Sequence, residues 1–559
     1  MVSTGDTIEK AEIAPRPAAV AMRLSRMGSA HPTRLSFLRI MLRRMQAENW
    51  RFERARFDLD DRGVGTAVYT LHGPERSYSL VAFSHDLPDE MRSDRVIATA
   101  WDATFALFDG MPDQADIDRL ARNVPLQEAG RVSASELSLS RANRSVRLFR
   151  HVVAALSEGR QPDTAEVFEV GYLMRTTAVY GSGKFGAQDR SAIRARSETM
   201  APFQVEMMSV WLTKTFTIDL VNHLAAVRGG ARAVSLAPEI ARAIGVGNST
   251  GLGMAPFLVR HPRLLHAWAA AREEALARVR RSGPPAPRER AILDGALEDA
   301  RQNAAHWRSE HPLQIAKLAA LRHDLAAIAT YLATWPATGD ATPWDTFWHW
   351  GTETLAEEGQ EALLSLMLEP NGALVDDLES ALSAEETSAA PIDGRQRISD
   401  LRAEIEERYD WALAEDFAAK GAKARCWYVS EEKLEPRLGL RDVEIPPDLE
   451  QPLGIAALVR GVYDAIRDAD GDTLVADFLL RQPEHRMIVR RIQMLRGCDY
   501  GEIRANLLAD HILPIDMMRY KLAFFGASRF DPRSDKWVRI SLFAGLPLPD
   551  EIGHFDDGL

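Results

Sequence analysis

Cysteine is almost absent from this chain of 559 residues, with only Cys426 and Cys498 present. They lie far apart and have no His or Cys at ligand spacing. That excludes a disulfide framework and a thiolate metal site, and it makes a reducing cytoplasm the expected location. Long hydrophobic runs are missing too. No stretch reaches the roughly 18 uninterrupted apolar residues of a membrane span, so no membrane partner is expected. Positive charge is in deficit, 68 Lys and Arg against 80 Asp and Glu for a net charge of −12. A general nucleic-acid binder needs a basic face, and no helix-turn-helix with a basic recognition helix is apparent, so no nucleic-acid partner is expected. The opening residues have no apolar core of a secretion signal and are expected to form a flexible tail over 1–30.

A hydrophobic content of 46% is ample for a core. The expected fold is mainly α: a large multi-helix body with a small N-terminal α+β region at 31–125 built on a short antiparallel sheet. A basic amphipathic helix is expected at 32–49. Three strands follow at 50–59, 64–71 and 77–85, because Asp-Arg-Gly and Gly-Pro-Glu supply turns between runs rich in Val, Tyr, Phe and Thr. Helices are expected at 94–108 and 112–122.

From Val132 onward the strand signals fade, and helices are expected at 147–156 and 164–176 within a central helical body spanning 126–384. Two long helices at 262–280 and 288–311, joined by a Pro- and Gly-punctuated link, read as an exposed helical arm. An arm of this sort often mediates self-association, and a homodimer is the expectation drawn from it. The aromatic cluster Trp344, Phe347, Trp348 and Trp350 reads better as a core cap than as a stacking platform. A C-terminal helical region is expected over 385–559.

Two glycine-rich segments, Gly181–Gly186 (GSGKFG) and Gly245–Gly253 (GVGNSTGLG), bracket an apolar helix at 201–227. The first resembles a phosphate-binding loop only in part: Ala178 stands where the earlier glycine is required and Phe185 where the magnesium-holding hydroxyl belongs, which excludes a nucleoside triphosphatase of that type. The second nearly fits a dinucleotide fingerprint. However, Thr250 replaces the third glycine, and the preceding Pro238–Ile244 reads as helix where the fingerprint needs a strand.

The bracketed helix carries a polar strip, Glu206, Ser209, Thr213 and Thr217, with Lys214 at its edge. A satisfied seam between helices is one reading of the strip; the floor of a ligand pocket rimmed by the two glycine segments is the other. Asp219 and His223, four residues apart, are expected to pair structurally, since no third metal ligand is evident.

The expected function is a soluble enzyme acting on a small organic anion, carboxylate or phosphate, by acid–base chemistry of the lyase or isomerase kind. Arg175, Ser182, Asn248, Ser249 and Thr250 would hold the ligand. An irregular segment rich in charge and aromatics at 425–438 would add Lys433 and Arg437 as a lid. Lys184 and Glu206 would be catalytic, Glu206 as a general base whose pKa burial would raise. No metal site and no cofactor motif is visible. The competing expectation is a non-catalytic helical scaffold or small-ligand sensor in which the glycine segments only join helices.

Overall fold

A computed structural model describes residues 13–22, 37–88, 100–125, 133–176, 186–187, 202–248, 262–306, 312–375, 377–378, 390–417, 452–502 and 540–554. The three N-terminal strands form where the turns place them: β1 (Arg51–Leu59), β2 (Gly65–His72) and β3 (Ser77–Ser84), antiparallel in sequence order. The sheet does not stop there. β4 (Ala103–Asp109), β5 (Glu136–Arg144) and β6 (Tyr172–Thr176) extend it antiparallel, β8 (Gly245–Asn248) adds in parallel to β6, and β9 (Ile540–Leu542) closes the row antiparallel to β8. The two-residue β7 (Gly186–Ala187) pairs with β5 off this path.

The mainly α architecture with a short antiparallel sheet is therefore wrong. The protein combines extensive helix with a long, curled, mixed sheet.

The reason is burial on both faces. Along β2 to β4, Tyr69, Leu80, Phe105 and Leu107 point into the main core, while Val68, Val81, Ala106 and Phe108 join a second cluster on the opposite face. A strand buried on both sides shows no alternation of apolar and polar residues, so Ala103–Phe108 reads like helix. After α1 (Phe37–Ala47), which precedes the sheet, helix α2 (Gln114–Asn123) covers the second cluster through Ile117 and Leu120, and its capping box at Asp113 and Asp116 fixes where it starts.

The main face is covered by α3 (Phe149–Ser157) and by the 28-residue α5 (Pro202–Gly229). Between them in the chain, α4 (Thr164–Val170) ends at Gly171, whose φ of 77° is left-handed, and β6 starts at the next residue. The helix expected over 164–176 thus stops at its glycine. Every side chain of α5 from Met207 to Ile218 is buried. Phe216 packs edge-on against Tyr69 and Phe105 of the sheet, and the Trp211 indole N–H donates to the Pro547 carbonyl at 2.8 Å.

Beyond α6 (Pro238–Ala243), the chain forms a helical body of α7 (Pro262–Arg280), α8 (Pro287–His306), α9 (Pro312–Leu332), α10 (Pro343–Thr354) and α11 (Glu357–Leu368). The 262–280 part of the expected arm is no surface feature, since Leu265, Trp268, Ala275, Leu276 and Val279 of α7 are core residues. Trp344, Phe347 and Trp348 are likewise buried, and Tyr331, Phe347 and Trp350 stack on one another pairwise.

The N-terminal segment is tied into this body. Arg16 makes a two-pronged contact with Glu273 and a third bond to Glu361, all at 2.8 Å, and Arg272 bonds the other oxygen of Glu361. Further on, α12 (Ile398–Arg408), α13 (Pro452–Ile466) and α15 (Arg486–Met494) pack together, with α14 (Val475–Arg481) before α15, and a buried triad joins Tyr409, Glu502 and Arg491. Among the described residues no helix is long and apolar enough to cross a membrane.

Candidate functional site

Parallel strands need a long crossover, and here α5 and α6 supply it between β6 and β8. Tyr172 pairs with Gly245, Arg175 with Gly247 and Thr176 with Asn248, so both strands end at the same edge of the sheet. The chain continues from Thr176 toward one glycine-rich segment and from Asn248 into the rest of the other. α5 runs back over the sheet: Ser209 lies 3.5 Å from Ser140 in mid-β5, and His223 bonds the Asp60 carbonyl at the β1–β2 turn. Its N-terminal turns therefore approach the edge where β6 and β8 end. Crevices outside the carboxyl ends of parallel strands are favoured ligand sites, and helix N-termini favour anions.

The glycines at this edge serve close packing. A Cβ on Gly247 would lie 2.6 Å from the Tyr172 ring, and one on Gly245 would lie 2.5 Å from the Leu542 carbonyl oxygen. Gly245 and Gly247 thus belong to a strand squeezed between neighbours, and the helix expected just before them is present as α6. Arg175 is buried here at 3% exposure. Two buried hydroxyls, that of Tyr172 at the start of β6 and that of Ser138 on β5 beside β7, have no hydrogen-bond partner among the described residues. Burying a hydroxyl without a partner costs roughly 1–3 kcal/mol, so such groups call for an explanation.

Most of the polar strip on α5 is structural. Thr213 donates to the Ser209 carbonyl at 2.8 Å and Thr217 to the Thr213 carbonyl at 2.7 Å, both one turn back on the same helix. Lys214, fully buried, directs its ammonium at three carbonyls, Arg242 at 3.0 Å, Phe543 at 2.8 Å and Leu546 at 3.0 Å. Burial lowers its pKa to about 7 against the opposing pull of Glu551. Asp219 and His223 turn to different partners: Asp219 accepts from Tyr69 and Arg54, at 2.9 and 2.6 Å, and burial raises its pKa.

Of the residues singled out from sequence, Arg175 and the backbone of Asn248 meet at the β6–β8 edge. Glu206 lies in the first turns of α5, but its side chain, like that of Asn248, is outside the described residues. Ser182, Lys184, Ser249, Thr250, Lys433 and Arg437 also lie outside them. The sequence reading passed over Tyr172 and Ser138. Tyr172 directly follows Gly171, a helix-stop signal that would have marked a new strand.

The chain matches no family model, no curated protein and no solved structure.

Proposed function

We propose that the protein is a cytoplasmic enzyme acting on a small organic anion, carboxylate or phosphate, at the edge where β6 and β8 end side by side. One observation carries this reading: the parallel pairing of Thr176 with Asn248, which starts both glycine-rich continuations from one place, close to where α5 begins. The buried Arg175 of β6 and the Ser138 hydroxyl on β5, which has no partner among the described residues, support it, since a ligand oxygen can accept from a guanidinium or a hydroxyl. In this reading Lys184, Ser182, Asn248, Ser249 and Thr250 hold the anion and Glu206 moves the proton. The low cysteine content supports the compartment. A homodimer would use the outer face of α8, where Asp294, Glu298 and Arg301 are exposed.

Thermal-shift titration with small carboxylates and phosphates tests the site. A rise in Tm in the wild type, lost in Lys184→Ala, is the expected result. The proton step is read by NMR as deuterium uptake into the stabilising ligand in heavy water. Glu206→Gln should keep the thermal shift and lose the exchange. No stabilisation by any anion, or an undiminished shift in Lys184→Ala, overturns the reading.

A further inference from the structure

The opposite edge of the sheet holds a cleft of about 860 Å3. The strand directions separate it from the edge just described, because β1, β3 and β5 end here while β6 and β8 only begin. The β1–β2 turn, the segment after β3, the start of α3 and the last turns of α5 form its walls. They present Arg62, Arg144, Arg150 and Arg228, against the two carboxylates of Asp61 and Asp86. Asp102 behind Arg144 and Asp60 beside Arg62 lie outside the lining, so the charged groups facing the cleft itself are four guanidiniums and two carboxylates. Between the charges the lining is apolar, with Phe149 and Val153 buried and Leu224 half-buried.

Arg228 stands in the last turn of α5, where the helix dipole favours a cation, but Arg150 has no such explanation. Arg150 stands in the first turn of α3, the positive end of the helix dipole, where a cation is disfavoured; that turn has no acidic residue and no side-chain cap. Arg62 is largely exposed and reaches Asp60 only at 3.8 Å, while Arg228 is exposed and pairs with no carboxylate among the described residues.

Arg144, by contrast, is held in place. Its backbone N–H donates to the fully buried Asp102 at 2.9 Å, its guanidinium lies 3.6 Å from the other Asp102 oxygen, and it sits 4.9 Å above the Phe149 ring. A fixed guanidinium beside two solvent-facing ones, over an apolar floor, is suited to an anionic headgroup with a hydrocarbon body. The volume lies in the upper part of the roughly 300–1,000 Å3 range of small-molecule pockets, more than a small acid alone would fill.

We propose that this cleft binds an amphiphilic organic anion, its carboxylate or phosphate group on Arg144, Arg62 and Arg228 and its apolar part on Phe149, Val153 and Leu224. Calorimetric titration of the full chain carrying Lys184→Ala, which removes anion binding at the other edge, with decanoate, decyl phosphate, decanol and inorganic phosphate tests it. Decanoate or decyl phosphate should bind, the stronger of the two naming the headgroup, while decanol and inorganic phosphate should bind at least about tenfold more weakly. Arg62→Ala combined with Arg228→Ala changes only exposed side chains and should weaken the binding anion by tenfold or more. Equal binding of decanol, tight binding of inorganic phosphate alone, no binding of either amphiphile, or full affinity in the double variant each overturns the proposal.

Discussion

Lys214 shows how far a single side chain's role can lie from its sequence neighbours. Its position beside a polar strip was legible; its partners, from Arg242 and the 543–546 segment, were not, because nothing local links them to residue 214. With a pKa of about 7 in the folded state against an ordinary 10.5, the folded protein binds fewer protons than the unfolded chain between those values, so this group makes stability rise with pH across that window. In urea titrations from pH 7 to 9.5, the stability of the wild type relative to Lys214→Met should therefore grow. A flat difference would mean that the three carbonyls keep the ammonium charged throughout. Gly247 makes the complementary case. Glycine is a turn signal in a sequence, yet here it is the missing Cβ that matters, with the Tyr172 ring where a methyl would go. Gly247→Ala should lower stability by about 1–3 kcal/mol, as overpacking does, measured as a lower urea midpoint at unchanged slope.

Among the elements, those with local punctuation were readable. β1 to β3 were found from their turns, and most of the long helices from their apolar periodicity and the proline and glycine at their ends. β4 was lost because both its faces are buried, β6 because Gly171 was read through, and β8 and β9 because four residues and three residues are strands only by virtue of their neighbours. The 201–227 pattern, read as a rod without a solvated face, is the element that the sheet and α3 pack upon. Phe216, fully buried between Tyr69 and Phe105, should cost about 3–5 kcal/mol when changed to Ala. Chemical denaturation checks this, and a loss below about 1 kcal/mol would mean that α5 and the sheet are less tightly joined than these contacts imply.

At the scale of the whole molecule, the joins are made between residues hundreds of positions apart, which is why they were out of reach of local patterns. Arg16 meets Glu273 and Glu361 in the interior, with the Tyr500 hydroxyl on its carbonyl at 2.6 Å. Arg16→Ala leaves Glu273 and Glu361 buried with less compensation and should destabilise by about 3–5 kcal/mol, read as a lower melting temperature, whereas an exposed arginine such as Arg395 should cost nothing measurable. The candidate site shares this long-range character. The parallel pairing of Thr176 with Asn248, on which the proposed site rests, joins residues some 70 positions apart and has no local signal in the sequence. The place of β9 has a consequence for biosynthesis. The strand that shields β8 lies far downstream of it in the chain, so a nascent chain carries bare β8 amides and carbonyls until Ile540–Leu542 has been made. Premature stop codons upstream of Ile540 should therefore yield products that recruit one another through that exposed ladder and collect in inclusion bodies.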